Sequence, residues 1–141
     1  MRRVDRLFEN YSQYHQDPVN KAIHWICVPL IVWSVLGMLW AASPVAACAT
    51  IAVATVFCLV LSAPLALGML GVLAAMAWAL TLLGDRVLVV SLVTFAAAWI
   101  GQFIGHAIEG RKPAFVDDLR SFLVAPAWLL GDLYRRLGLK Y

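Results

Sequence analysis

Charge is what this chain has least of. Asp, Glu, Lys and Arg make up 13% of its 141 residues, and none of them falls between Lys21 and Asp85. A second uncharged run extends from Val87 to Ile108. Soluble domains carry about a quarter charged residues, enough to keep their surfaces wet. Runs this long exclude an ordinary water-soluble globule and call for a bilayer as solvent. Cysteine is also scarce. Cys27, Cys48 and Cys58 lie inside apolar stretches and form no C-x-x-C pair, which excludes a cysteine-built metal site and leaves small buried hydrophobes. No polar domain is present to display a basic face, so the net charge of +3 suits anionic lipid head groups rather than nucleic acid. The N-terminus lacks the short apolar core and small-residue cleavage site of a removable signal. Repeats, low-complexity segments and linkers are absent, so residues 1–141 read as one membrane domain.

What is there is grease: 63% of the residues are hydrophobic, and the mean hydropathy is +0.84. Residues 3–15 read as an amphipathic helix lying in the head-group layer, with Val4, Leu7, Phe8 and Tyr11 on one face and His15 continuing it inward. Asp17 then caps, and Pro18 opens, a first span over about 18–42. Ser43-Pro44 repeats that pattern for a second span, about 44–62. Ala63-Pro64 marks a break before a third, about 65–83, where Gly68 and Gly71 allow close packing. Gly84-Asp85-Arg86 makes a polar turn, and a fourth span covers about 87–108, ended by Gly110 and Pro113. The tail, 114–138, is too short to span. Asp117-Asp118 caps a short helix through Val124, and Pro126 starts another that turns Trp128, Leu129, Leu133 and Leu137 one way. The fold class is all-α: an integral membrane four-helix bundle with interfacial amphipathic helices at both termini.

An even number of spans puts both termini on one side. Arg2, Arg3 and Arg6 precede the first span, and Lys21 lies in its opening turn. Arg111, Lys112, Arg120, Arg135, Arg136 and Lys140 follow the fourth, so the positive-inside rule makes that side cytoplasmic. The chain has only three histidines. His15 and His24 flank the start of span one, and His106 lies about one turn from the end of span four. All three therefore fall at nearly one membrane depth. Two polar stripes accompany them: Asp17, Asn20 and His24 on span one, and Gln102, His106 and Glu109 on span four. Ionisable groups just inside a membrane are costly and mark function. Taken singly, each histidine has an ordinary reading as a wetted, carbonyl-bonded or capping side chain. Together they point to a metal site. Three neutral imidazoles suit zinc or ferrous iron and leave positions open for catalysis. Asn20, Gln102 and Glu109 can orient the rings, and Glu109 can instead serve as a ligand. A haem- or metal-binding electron carrier, and a non-catalytic scaffold or small transporter, are the rival readings.

The segment from His15 to His24 (His-Gln-Asp-Pro-Val-Asn-Lys-Ala-Ile-His), followed by Val28-Pro29-Leu30, resembles one motif of a known family. Gln102-Phe103-Ile104-Gly105-His106, continuing to Glu109 and Lys112-Pro113-Ala114, resembles the second. The family is the membrane-bound 2-hydroxy fatty acid dioxygenases of fungi and bacteria, and the resemblance covers nearly the whole chain. Cys27 departs from it, standing where a small residue such as glycine is expected. The resemblance implies an Fe(2+) enzyme of fatty acid α-oxidation with His15, His24 and His106 on the metal and Glu109 among the catalytic groups. Its substrates would be dioxygen and a 2-hydroxy fatty acid, converted to carbon dioxide and the acid one carbon shorter. Lys21, Arg111 or Lys112 would attract the substrate carboxylate. The bacterial cytoplasmic membrane is the expected location.

Overall fold

The computed structural model describes residues 1–141 and contains six α-helices and no strand: α1 Arg3–Ser12, α2 Pro18–Ala42, α3 Pro44–Leu61, α4 Ala63–Thr81, α5 Val87–Glu109 and α6 Ser121–Arg136. Short 3-10 turns at Gly84–Arg86 and Ala114–Val116 join the last three. The helix starts follow local chemistry. Asp17 accepts hydrogen bonds from the amides of Val19 (2.8 Å) and Asn20 (3.3 Å), with Pro18 in the first turn, where its missing N–H costs nothing. Ser43 does the same for Ala46 at the start of α3. The third span begins two residues earlier than the sequence implies, because Ser62 caps it through Leu65 and Pro64 sits inside its first turn. α5 ends at Gly110, whose φ of 75° is the left-handed geometry that only glycine adopts freely.

Four helices, α2 to α5, are long and apolar enough to cross a membrane. α2 pairs most extensively with α5, and α3 with α4. Val45, Val53, Val56, Leu59 and Val60 of α3 lie exposed, an apolar surface that fits lipid rather than water. α1 and α6 pack on each other across the end of the bundle. Val4, Phe8 and Tyr11 are buried in that contact, and Phe8 lies so close to Gly131 that a Cβ there would fall 2.7 Å from its ring.

Three expectations need correction. α6 runs unbroken through Pro126, so the tail is one helix rather than two; its missing N–H leaves the Phe122 carbonyl without an i+4 partner, but packing on α1, α2 and α4 holds the helix together. Trp128 and Leu129 turn inward as expected, but Leu133 and Leu137 are exposed. Gly68 packs closely, beneath Tyr134 and Leu130 of α6, whereas Gly71 faces open space.

Candidate metal centre

The end of α1, the turn after it, α2 and α5 converge under α6, and the three histidines meet there. The His15 ring centroid lies 4.1 Å from that of His24 and 4.9 Å from that of His106. His15, His24 and His106 are 1%, 0% and 4% exposed. Tyr11 and Trp128, neither of which local sequence patterns mark as site residues, complete the cage. Tyr11 stacks on His15 at 4.5 Å, and its hydroxyl is 2.7 Å from His24 Nε2. Trp128 packs against His15 and His24, each at 5.7 Å, and its indole N–H donates to Ser12 Oγ at 2.8 Å. A tyrosine four residues before His15 on one helical face was the only local clue to the first. Nothing in the local sequence points to the second.

The polar stripes divide their work. The Gln102 side chain is 2.8 Å from His24 Nδ1, so both nitrogens of that ring have partners. Asn20 Nδ2 donates to the Tyr14 carbonyl at 3.3 Å, and its Oδ1 rests against Gly105, so it ties the α1–α2 turn to α5 rather than reaching an imidazole. Glu109 turns away from the rings. Its two oxygens accept from the amides of Gln16 (2.6 Å) and Asp17 (2.5 Å) and clamp the turn that carries His15. Removing two charge-assisted bonds should cost roughly 1.5–3 kcal/mol each at most. Glu109→Ala is therefore expected to lower the melting temperature in detergent and to loosen residues 13–17 first, as read by hydrogen exchange.

The basic candidates stand further out. Lys112 is paired with Asp117 at 2.7 Å, a carboxyl that also accepts from the Tyr14 hydroxyl; Lys112 first, then Tyr14, holds it below the usual carboxylate range. The Arg111 guanidinium lies 5.1 Å above the Tyr14 ring. Lys21 has no side-chain partner and borders an open groove with Trp25 and Arg136.

Donor type and burial fit a metal. His15 Nε2 and His106 Nδ1 are buried without any hydrogen-bond partner, a costly condition that a Lewis acid would relieve. The side chains as they stand do not aim three ligand atoms at one point, and His24 would have to exchange its Tyr11 hydrogen bond for a metal bond. Burial lowers the His15 imidazole to about 4, opposed by its Nδ1 contact with the Tyr11 carbonyl and reinforced by His106. A histidine that binds its proton less readily when folded leaves stability intact above its ordinary value of 6.5 and erodes it below. The melting temperature of the metal-free protein should accordingly fall as pH drops from 6.5 toward 4.

The sequence profile described as "Mpo1-like: 2-hydroxy-palmitic acid dioxygenase Mpo1-like" matches residues 1–137. The chain belongs to this Mpo1-like family. A Saccharomyces cerevisiae relative, "2-hydroxy-palmitic acid dioxygenase MPO1", is 33% identical over 138 positions, covering 91% of this chain and 78% of the yeast protein. No solved structure matches. The Mpo1-like profile spans both histidine segments, and the three histidines gathered under α6 come from the two stretches that carried the resemblance in the sequence.

Proposed function

We propose that this chain is an Fe(II)-dependent dioxygenase that shortens 2-hydroxy fatty acids by one carbon. The observation that carries the reading is the meeting of His15, His24 and His106, two of them with unpartnered buried nitrogens, in a chain of the Mpo1-like family. The overall reaction balances without an external reductant: a 2-hydroxy acid and dioxygen give the shorter acid, carbon dioxide and water. Bound iron would supply dioxygen activation and a chelation point for the substrate's hydroxyl and carboxylate. The three imidazoles would hold it. Gln102 would hold the plane of the His24 ring through the 2.8 Å contact of its amide nitrogen with Nδ1. Trp128 and Tyr11 keep water from the rings and limit how they can tilt. Glu109 acts as a positioning residue, holding the turn that presents His15. Lys21 is the free ammonium nearest this end of α2 and serves to attract the incoming carboxylate. Charge distribution supports a cytoplasmic position for both termini.

Side-by-side packing of His15 with both other rings leaves no room for a porphyrin between them, which disfavours the haem-carrier reading. The test is turnover of 2-hydroxyhexadecanoic acid by protein in lipid nanodiscs with ferrous iron, under air and under nitrogen. Formation of the fifteen-carbon acid in air alone supports the proposal, and its absence in air contradicts it. Gln102→Leu should weaken ferrous iron binding about 10–100-fold, measured by competition with a chromophoric chelator, while leaving the helical circular dichroism unchanged.

A further inference from the structure

Two cavities lie under α6, one on each side of α2. The first, about 50 Å³, sits between α2, α5 and the segment leading into α6. Tyr11, Gln102, His106 and Ser121 form its polar part, and the remaining wall is apolar or aromatic. Gln102 Oε1 and His106 Nδ1 are buried there with nothing to bond, and His106 is 4% exposed. An apolar cavity with unsatisfied polar atoms in its wall suits a molecule with a polar head and an apolar body. The second, about 170 Å³, lies between α2, α4 and α6 and is nearly free of polar surface. Val28, Val32 and Pro126 wall both cavities.

The first cavity is too small for a fatty acid. If ~10–15 Å³ admits one water-sized group, it takes only the head and the carbons next to it. The rest of the chain must leave, and one side is lined by bulky rings. Trp99, Phe115 and Phe122 form a packed aromatic wall, with Trp99 to Phe115 at 5.4 Å and Phe115 to Phe122 stacked at 4.8 Å. The opposite side is the Val28–Val32–Pro126 seam. Beyond it, Met69 and Met76 offer flexible thioethers that adapt to an alkyl chain of variable shape.

We propose that the substrate's acyl chain passes from the histidine cluster beneath the seam of α2 and α6 into the apolar cavity between α2, α4 and α6. That cavity then sets chain-length preference. The proposal rests on the fatty acid reading given above, so its test includes a readout that does not need turnover. The probe is 2-hydroxyhexadecanoic acid with a diazirine near its methyl end, photolysed with the protein in nanodiscs. Label is expected on the α4 peptide containing Met69–Met76, and excess unlabelled 2-hydroxyhexadecanoic acid should displace it. Label confined to α5, Phe115 or lipid, or no α4 label at all, overturns the route whichever way the turnover assay comes out. Val72, exposed on the rim of the second cavity, gives the second arm. Val72→Trp should lower kcat/KM for the sixteen-carbon acid relative to an eight-carbon one by at least about tenfold, with the short acid still converted. An unchanged ratio overturns the proposal. If the unmodified protein converts neither acid, the fatty acid reading itself fails, and the labelling pattern still decides the path.

Discussion

Replacing His24 with alanine is expected to abolish turnover of a 2-hydroxy fatty acid, by at least about a thousandfold, or ~4 kcal/mol of transition-state stabilisation. His24 is fully buried, lies 4.1 Å from the centroid of His15, and joins Tyr11 of α1 to Gln102 of α5. Its loss removes a proposed iron ligand and strands two buried polar side chains. Alanine alone would confuse these effects, because the cavity left beside Trp128 also costs stability. His24→Gln separates them. A glutamine of similar reach can still hydrogen-bond Tyr11 but is a poor stand-in for imidazole on iron. His24→Gln is expected to keep a melting temperature near that of the unmodified protein, together with the same loss of turnover and of bound iron. Normal turnover in a well-folded His24→Gln protein would remove His24 from the chemistry.

The second large effect is expected at a residue with no side chain. Gly105→Val should destabilise the bundle by about 1–3 kcal/mol and cut activity with it. A Cβ at this position would collide with Asn20 Oδ1 and lie 3.4 Å from Ile23 Cγ2, both on α2. Asn20 cannot step aside cheaply, because it is fully buried and tied to the Tyr14 carbonyl. α5 would have to back away from α2, carrying Gln102 and His106 from His24. Gly71 is the internal control. A Cβ there meets nothing within 4 Å, so Gly71→Ala should change stability by less than about 0.5 kcal/mol. Thermal unfolding in detergent checks both. Equal effects at the two glycines would mean that the α2–α5 contact does not depend on the missing side chain.

The contrast between those glycines shows what can be read from a chain like this and what cannot. Asp17, Ser43 and Gly110 announce helix ends because capping is decided within three or four residues. The span count follows from the same locality, and it alone brings His15, His24 and His106 to one depth. Which glycine meets another helix depends on rotation about the span axis. In an almost uniformly apolar helix, the sequence carries little record of that rotation. Glu109 illustrates the limit at the site. Its spacing from Gln102 and His106 puts all three on one stripe, yet one further turn of helix carries its carboxylate to the amides of Gln16 and Asp17. Pro126 looks like a helix start because proline so often is one, and only packing against the rest of the bundle lets α6 run through it. Trp128 reaches the histidines across more than a hundred residues of chain, a closure no local pattern encodes. Cys27, the departure from the expected small residue, is accommodated by Gly101, where a Cβ would fall 2.7 Å from the Cys27 sulfur.

Whether the three histidines hold iron is tested most directly by metal analysis of protein reconstituted anaerobically with ferrous iron and freed of excess by gel filtration. His15→Gln, His24→Gln and His106→Gln variants are to be treated in parallel. One iron per chain is expected in the unmodified protein, with an X-ray absorption signature of imidazole coordination, and loss of the iron in each variant. Iron retained in all three well-folded variants, or full turnover by protein holding none, would contradict that expectation.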